Sequence, residues 1–257
     1  MFQLDKWYLD LVTPEGDVVI GYAARIAWGG LGFNFSSLLE NPVDGPISDR
    51  SIVRGTSDPT ESPDCVRWTN DALGFAGTWT GIAPIEERLV NSPAGAINWR
   101  CLAPRANVAI DVGGRTRTGH GYVERLSLSI PPWSLPFDRL LWGRFTSDRH
   151  SVIWIEWTGT THRRWVWMNG TLAPDAIPTA HGVDGLGHGV TLEWNAGRDL
   201  RNRSVLDWLG RELPGVARRM TGRLDRMHEH KVVSPALLSG VEPEAEPGWA
   251  IHEEVRW

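Results

Sequence analysis

The sequence predicts a mainly β protein, a sandwich or barrel, with one late helical segment. Three observations carry that prediction. Apolar residues recur with period 2 in many short runs, clusters of Gly, Pro, Asn and Asp separate the runs, and no strand–helix–strand alternation of a parallel sheet is present. Fifteen tryptophans among 257 residues fall on those runs, and six of them (Trp133, Trp142, Trp154, Trp157, Trp165, Trp167) lie within 35 residues. A buried indole hides a large apolar area and needs a partner for its one N–H. Such a set either fills a β core or lines an apolar cavity with a few polar handles; for the set as a whole, the cavity is the expectation.

In chain order, Lys6–Val12 and Val18–Trp28 read as strands joined by the turn residues Thr13 to Asp17. On the second run Val18, Ile20, Tyr22, Ala24, Ile26 and Trp28 share a face, and Gly29 to Gly32 break the pattern. Shorter runs follow at Ser51–Arg54, Cys65–Thr69, Gly77–Ile85, Arg88–Asn91, Ala96–Leu102 and Asn107–Val112. A second series comprises Gly121–Ile130, Leu140–Thr146, Ser151–Trp157, Arg163–Met168 and Gly189–Trp194. Between Ser204 and Glu229 the period becomes helical (Val205, Leu206, Leu209, Val216, Met220, Leu224, Met227), interrupted at Pro214. A polar loop from Ser234 to Gly248 then leads to a last strand, Trp249–Trp257. A β series closed by a helix and a final strand is a lipocalin-like layout.

Composition narrows the function classes. With 41% hydrophobic and 22% charged residues the chain is ordinary for a soluble globular protein, and a net charge of −5 argues against a nucleic-acid partner. The first ten residues lack the basic and apolar regions of a secretory signal, and no apolar run is long enough for a membrane span. The expected location is therefore cytoplasmic, with Cys65 and Cys101 as reduced thiols. Nucleophile elbow, phosphate loop and HExxH motifs are absent. His181, Asp184 and His188 sit in a Gly-rich loop that matches no metal template, and Gly185, Gly187 and Gly189 lack the context of a dinucleotide site. No cofactor and no metal is expected. His228 and His230 are expected near a helix end, interacting with its terminal carbonyls.

Four segments carry a family resemblance. The opening Trp7-Tyr8-Leu9-Asp10, the central Gly119-His120-Gly121-Tyr122-Val123-Glu124, the Trp142-Gly143-Arg144-Phe145 run after Pro131 and Pro132, and the terminal Gly248-Trp249-Ala250-Ile251-His252-Glu253 resemble, in this order, the landmarks of the AttH/CrtC superfamily. That superfamily includes carotenoid 1,2-hydratase and fungal decalin-forming Diels–Alderases. The resemblance implies two lipocalin-like antiparallel β-barrels packed side by side, spanning 1–118 and 119–257 with the helical insertion 204–229, and an apolar pocket in or between them. Glu124 stands where the hydratases carry an aspartate.

On a strand, His120, Tyr122 and Glu124 point to one face. A carboxylate beside a phenol and an imidazole has the groups to protonate an alkene or to hydrogen-bond a substrate carbonyl, and burial against aromatics would raise the pKa of Glu124 towards that of a working acid. The plainer alternative is a structural cluster in which Glu124 pairs with Arg125 or Arg144. Glu253 shares a face with Trp249, Ile251, Val255 and Trp257, where pairing with an arginine is the favoured reading. Glu156 with Trp154, and Asp10 with Tyr8, read as polar groups at a pocket rim. Trp142, Trp154 and Trp167 offer indole faces that would steady a carbocation, or would fold a polyene for a pericyclic step.

These readings combine into an expectation of a cofactor-independent cyclase, isomerase or hydratase acting on a lipophilic unsaturated small molecule. Glu124, His120 and Tyr122 would be catalytic, and Tyr8, Asp10, Trp142, Trp154, Glu156, Trp167, Trp249 and Glu253 would bind substrate. The alternative is a non-catalytic carrier or sensor of the same kind of ligand. A third possibility, a module docking a partner through the apolar stripe of 204–229, ranks last, since packing on a barrel wall explains that stripe more simply.

Overall fold

A computed structural model of the chain describes residues 2–135, 137–204 and 227–257, with the side chain of Trp133 excepted. The chain divides into two compact units, Met1–Leu135 and Pro136–Trp257. The expected boundary at 118/119 is thereby corrected. Residues 119–128 continue a strand that pairs along its length with the first strand, so they belong to the first sheet.

The first unit contains β1 (Phe2–Val12), β2 (Val18–Trp28), β3 (Leu31–Asn41), β4 (Ser48–Ile52), β5 (Thr60–Glu61), β6 (Cys65–Asn70), β7 (Phe75–Thr80), β8 (Ile85–Ser92), β9 (Gly95–Val112) and β10 (Arg115–Leu128). Its antiparallel sheet runs in the order β4-β3-β2-β1-β10-β9-β7-β6-β5, with β8 added beside β9. The second unit contains β11 (Phe137–Thr146), β12 (Ser151–Gly159), β13 (Arg163–Met168), β14 (Thr171–Leu172), β15 (Ile177–Pro178), β16 (Gly182–Asp184), β17 (Thr191–Trp194), β18 (Arg198–Ser204), β19 (His228–Ser239) and β20 (Glu246–Arg256). Its order is β14-β13-β12-β11-β20-β19-β17-β16-β15, with β18 beside β19. Strand for strand, the second unit repeats the topology of the first.

Turn chemistry sets the tight hairpins. Gly29-Gly30, Gly113-Gly114 and Asn169-Gly170 each join two antiparallel strands with both residues at positive φ, the two-residue turn whose twist suits paired strands. Both sheets curl around an apolar interior. In the first unit Trp7, Leu9 and Leu11 of β1 meet Val19, Leu38, Trp68, Trp79, Leu102, Val108 and Val123. The ring of Trp68, from β6, lies over Gly21 of β2, where a Cβ would stand 2.4 Å from it, so opposite walls of the curled sheet touch through that indole. The second core gathers Phe145, Trp154, Val166, Leu192, Trp194, Leu238 and Ala250. There Trp154 covers Gly143 and stacks on Trp194 at 5.2 Å between ring centroids. Indoles laid over glycines restore apolar area that a glycine cannot supply.

Several expected elements change. Leu31–Asn41 forms β3, although its polar and glycine content hid the strand. The two runs at Ala96–Leu102 and Asn107–Val112 are one strand, β9, because Pro104 sits in a bulge rather than at an end. The expected helix over 204–229 falls on 205–226, outside the described residues; its flanks are strand, with Ser204 closing β18 and His228 opening β19. His228 and His230 are therefore strand residues, not helix-end residues. The expected loop from Ser234 begins only after Ser239, and β20 starts at Glu246.

Candidate functional site

Residues 7–12 of β1 are all buried, so this strand is covered on both faces. One face carries Trp7, Leu9 and Leu11 into the core of the first unit. By alternation Tyr8 and Asp10 lie on the other face. Register places Tyr8 opposite Tyr22 on one side and Glu124 on the other, with Asp10 opposite Tyr122. Glu124 in turn pairs with Cys101 of β9. The result is a buried patch of Tyr8, Asp10, Tyr22, Cys101, Tyr122 and Glu124, with Trp99 one pleat away on β9.

Two features of the chain build this patch. Gly119 and Gly121 let β10 approach β1 closely: a Cβ on Gly121 would stand 1.9 Å from the Asp10 carbonyl oxygen, and one on Gly119 would stand 2.2 Å from that of Val12. The glycines of the Gly119-His120-Gly121 segment therefore serve close packing, not chemistry. The second feature is a double irregularity in β9. Ala106 pairs with Gly121 and Ala103 with Val123, leaving Pro104 and Arg105 opposite the single residue Tyr122; the register shifts again between Val123 and Glu124. Bulges of this kind bend a strand and re-aim its side chains, and they recur beside functional sites.

The carboxylate of Glu124 is 5% exposed and is held by two donors on one oxygen. The indole Nε1 of Trp99 donates to Oε2 at 2.6 Å, and the Tyr122 hydroxyl donates to the same oxygen at 2.8 Å. Tyr8 packs edge-on against Tyr22 and Tyr122, with centroids at 5.3 and 6.0 Å. Burial, together with the nearby Cys101 and Glu124, raises the Tyr122 phenol well above its ordinary pKa. Burial and the Glu124 charge do the same for the Cys101 thiol. Both therefore stay protonated at neutral pH, and Tyr122 remains a donor.

Of the sequence-predicted residues, Tyr8, Asp10, Tyr122 and Glu124 come together here. His120 shares the strand, half-buried, opposite Val12 and Asn107. Arg125 is not a partner of Glu124: it points to the opposite face, where it pairs with Asp5 and lies over the Trp7 ring at 5.3 Å. Trp99, Tyr22 and Cys101 were missed. Their strands were legible, but nothing local in the sequence says that β9 and β2 flank β10 and β1.

The remaining predicted residues lie in the second unit. Trp142 and Trp167 share a face, since each stands beside a neighbour of the same parity on β12 (Ile155 and Ile153), whereas Trp154 is in the core. The three indoles thus do not form one cation-stabilising wall, and the reason is the strand period of 2. The cation over Trp142 is the Lys231 ammonium, 5.0 Å from the ring centroid. Glu253, half-buried, is paired, but with Lys231 rather than the expected arginine. Lys231 also approaches Glu229 at 3.6 Å, and Arg201 reaches that carboxylate at 3.4 Å. Glu156 contacts His162 at 2.8 Å, and the Trp249 carbonyl accepts from Arg144 at 2.9 Å. Among the described residues no group of three or more His, Cys, Asp and Glu side chains is placed to hold a metal. Both cysteines are free and buried, and no described helix is long and apolar enough to cross a membrane.

A cavity of about 810 Å³ opens in the first unit, and it is not the indole-lined hollow expected from the sequence. Its lining sets Asp5, Arg25, Asn34, Asn98 and Ser127 beside Leu4, Ile26, Phe33, Val53 and Leu128, while Trp68, Trp79, Trp154 and Trp194 pack the two cores.

No protein-family model and no curated protein sequence matches the chain. Solved structures do. CghA with Sch210972 superposes with a TM-score of 0.58 at 12% identity, covering 99% of this chain and 88% of that one. An AttH protein of Nitrosomonas europaea gives 0.54 at 10% identity over 99% and 91% of the two chains. Kievitone hydratase of Nectria haematococca gives 0.54 at 11% identity over 98% and 88%.

The chain has the AttH/CrtC-like fold.

Within that fold the four sequence landmarks fall on two strand pairs. Trp7–Asp10 on β1 and Gly119–Glu124 on β10 are hydrogen-bonded neighbours in the first sheet, and Trp142–Phe145 on β11 and Gly248–Glu253 on β20 are their counterparts in the second. The resemblance was thus carried by the centres of the two AttH/CrtC-like sheets, where close backbone approach and burial restrict residue choice most.

Proposed function

We propose that this protein is a cofactor-independent enzyme acting on a hydrophobic, unsaturated small molecule, with Glu124 as its acid–base residue. One observation carries the reading: a buried carboxylate whose Oε2 is fixed by the Trp99 N–H and Tyr122 O–H within a tyrosine cluster. Donors locked on one oxygen fix the carboxyl plane, so Oε1 is presented in a single orientation, as a general acid requires. The protonated Oε1 gives its proton to one alkene carbon and the adjacent carbon becomes cationic. Loss of a different proton gives an isomer, attack by a second alkene gives a ring and a new cation that then loses a proton, and capture by water followed by deprotonation gives a hydrate. In each outcome one proton returns to Glu124 and no redox partner is consumed. The tyrosine faces next to Glu124 stabilise the cation.

Support for this class of chemistry comes from the fold neighbours, one of which is named a hydratase and another of which binds a small molecule, Sch210972. Incubation of the purified protein with kievitone and with linear polyenes, followed by mass spectrometry, tests the reading. A gain of one water marks hydration, and an isobaric product with shifted retention marks cyclisation or isomerisation. Glu124→Gln should abolish conversion while ligand binding persists. A ligand that binds and is returned unchanged by the native protein would instead identify a carrier.

A further inference from the structure

The cavity of the first unit has a chemistry unlike that of the Glu124 patch. It is about 810 Å³, within the range of small-molecule sites, and its lining mixes polar side chains with Leu4, Ile26, Phe33, Val53 and Leu128. Its inward side chains follow from register. Asp5 shares the parity of Trp7 and Leu9, and it pairs with Arg25 and Ser127; these in turn pair with Asn34 and Asn98. One cross-strand row thus carries Asp5, Arg25, Asn34, Asn98 and Ser127, with Gln3 two residues from Asp5 on the same face of β1. Trp7, two residues on, has the Arg125 guanidinium over its ring.

The two charged residues of the lining, Asp5 and Arg25, each have a partner of opposite sign. Asp5 holds Arg125, and Asp58 holds Arg25. An ionic guest would compete with these partners for its own counter-charge. A neutral guest rich in hydroxyls would not. The Asn34, Asn98 and Gln3 amides and the Ser127 hydroxyl offer donors and acceptors side by side, which is what adjacent hydroxyls need.

We infer that this cavity is a second binding site, for a neutral polyhydroxylated ligand of mono- to trisaccharide size. Its row of polar side chains lies on the opposite face of β1 and β10 from Tyr8 and Glu124, and the site does not depend on the proposed reaction.

The test uses the full-length protein and saturation-transfer NMR with maltotriose, cellobiose, trehalose and methyl β-glucoside, and with citrate as the ionic probe. At least one neutral sugar should bind, and Asn34→Leu and Asn98→Leu should each weaken it about tenfold, the loss of one or two hydrogen bonds. Gln3→Leu, at an exposed position, serves as a further variant should either substitution prevent folding, and it too should weaken binding. Glu124→Gln should leave sugar binding unchanged. Binding of citrate alone, binding of no sugar, or sugar binding indifferent to all three leucine variants would overturn the inference.

Discussion

At the scale of single residues, the geometry around Glu124 makes distinct demands on its neighbours. Glu124→Gln keeps the shape and loses the proton, so turnover should fall by about 10²–10⁴-fold or more. Tyr122→Phe and Trp99→Phe leave the carboxyl in place but remove one donor each from Oε2. Each should lower kcat by about tenfold, with a smaller change in KM, because the group they hold is mispositioned rather than absent. Steady-state kinetics on whichever substrate the incubation identifies would check this. Equal losses of kcat in Phe and Gln variants would mean that the phenol, not the carboxyl, delivers the proton. That Tyr122 and Glu124 share a face was legible from their spacing. That Trp99 joins them was not, since it depends on a strand pairing set by the whole sheet.

At the scale of elements, glycines at sheet centres are the sharpest constraint. A methyl on Gly121 would collide with the Asp10 carbonyl, a backbone atom that cannot swing away, whereas at Gly32 of β3 the nearest atom is 3.7 Å distant. Gly121→Ala should cost about 1–3 kcal/mol in urea unfolding, and Gly32→Ala should be near neutral. Similar costs for both would show that β10 can relax away from β1. The core indoles make a second demand. Trp154 fills the space over Gly143 and stacks on Trp194, so Trp154→Ala should destabilise by about 3–5 kcal/mol. A wild-type midpoint for that variant would place Trp154 outside the core and return it to the substrate-binding set. Alternation in the sequence identified β1, β2, β12 and β13 closely, while β3 and β19 escaped notice because polar residues and a proline broke their pattern.

At the scale of the whole molecule, the two units share one topology, and the repeat carries different chemistry at matched positions. Counting from the hairpin ends that close β1 and β11, Tyr8 corresponds to Trp142, Asp10 to Arg144, and Glu124 to Glu253. The first unit surrounds its carboxylate with phenols and an indole N–H; the second neutralises its carboxylate with Lys231. The first carboxylate is held by neutral donors and the second by a base, so the catalytic proposal rests on the first unit alone.

The second unit also sets the acid response. Burial, helped by His230 and Lys231, lowers His252 from its ordinary 6.5 to about 4. The folded state thus refuses a proton that the unfolded chain accepts, and stability falls as pH drops from about 6.5 towards 4, by about 3 kcal/mol at most. Burial pushes Glu246 upwards, but bonds from Ser147, the Arg149 backbone and His150 outweigh it and bring the group from 4.5 to about 2. Its contribution is present above pH 4.5 and is lost as pH falls towards 2. Urea midpoints measured against pH should therefore decline in two stages, and His252→Phe, which keeps the stack on Trp194, should flatten the upper one. An unchanged profile in that variant would assign the upper stage to another group.

The sequence by itself determined the β class, most strands, the landmark segments and the shared face of Tyr122 and Glu124, because strand periodicity and turn chemistry are local properties of a few consecutive residues. The tertiary structure alone decided the unit boundary, the partners of Glu124, the split of the indoles between cores and outer faces, and the polar character of the cavity. Those follow from which strands lie side by side and how far each sheet curls, and such pairings join residues from 25 to 120 positions apart that no local pattern connects.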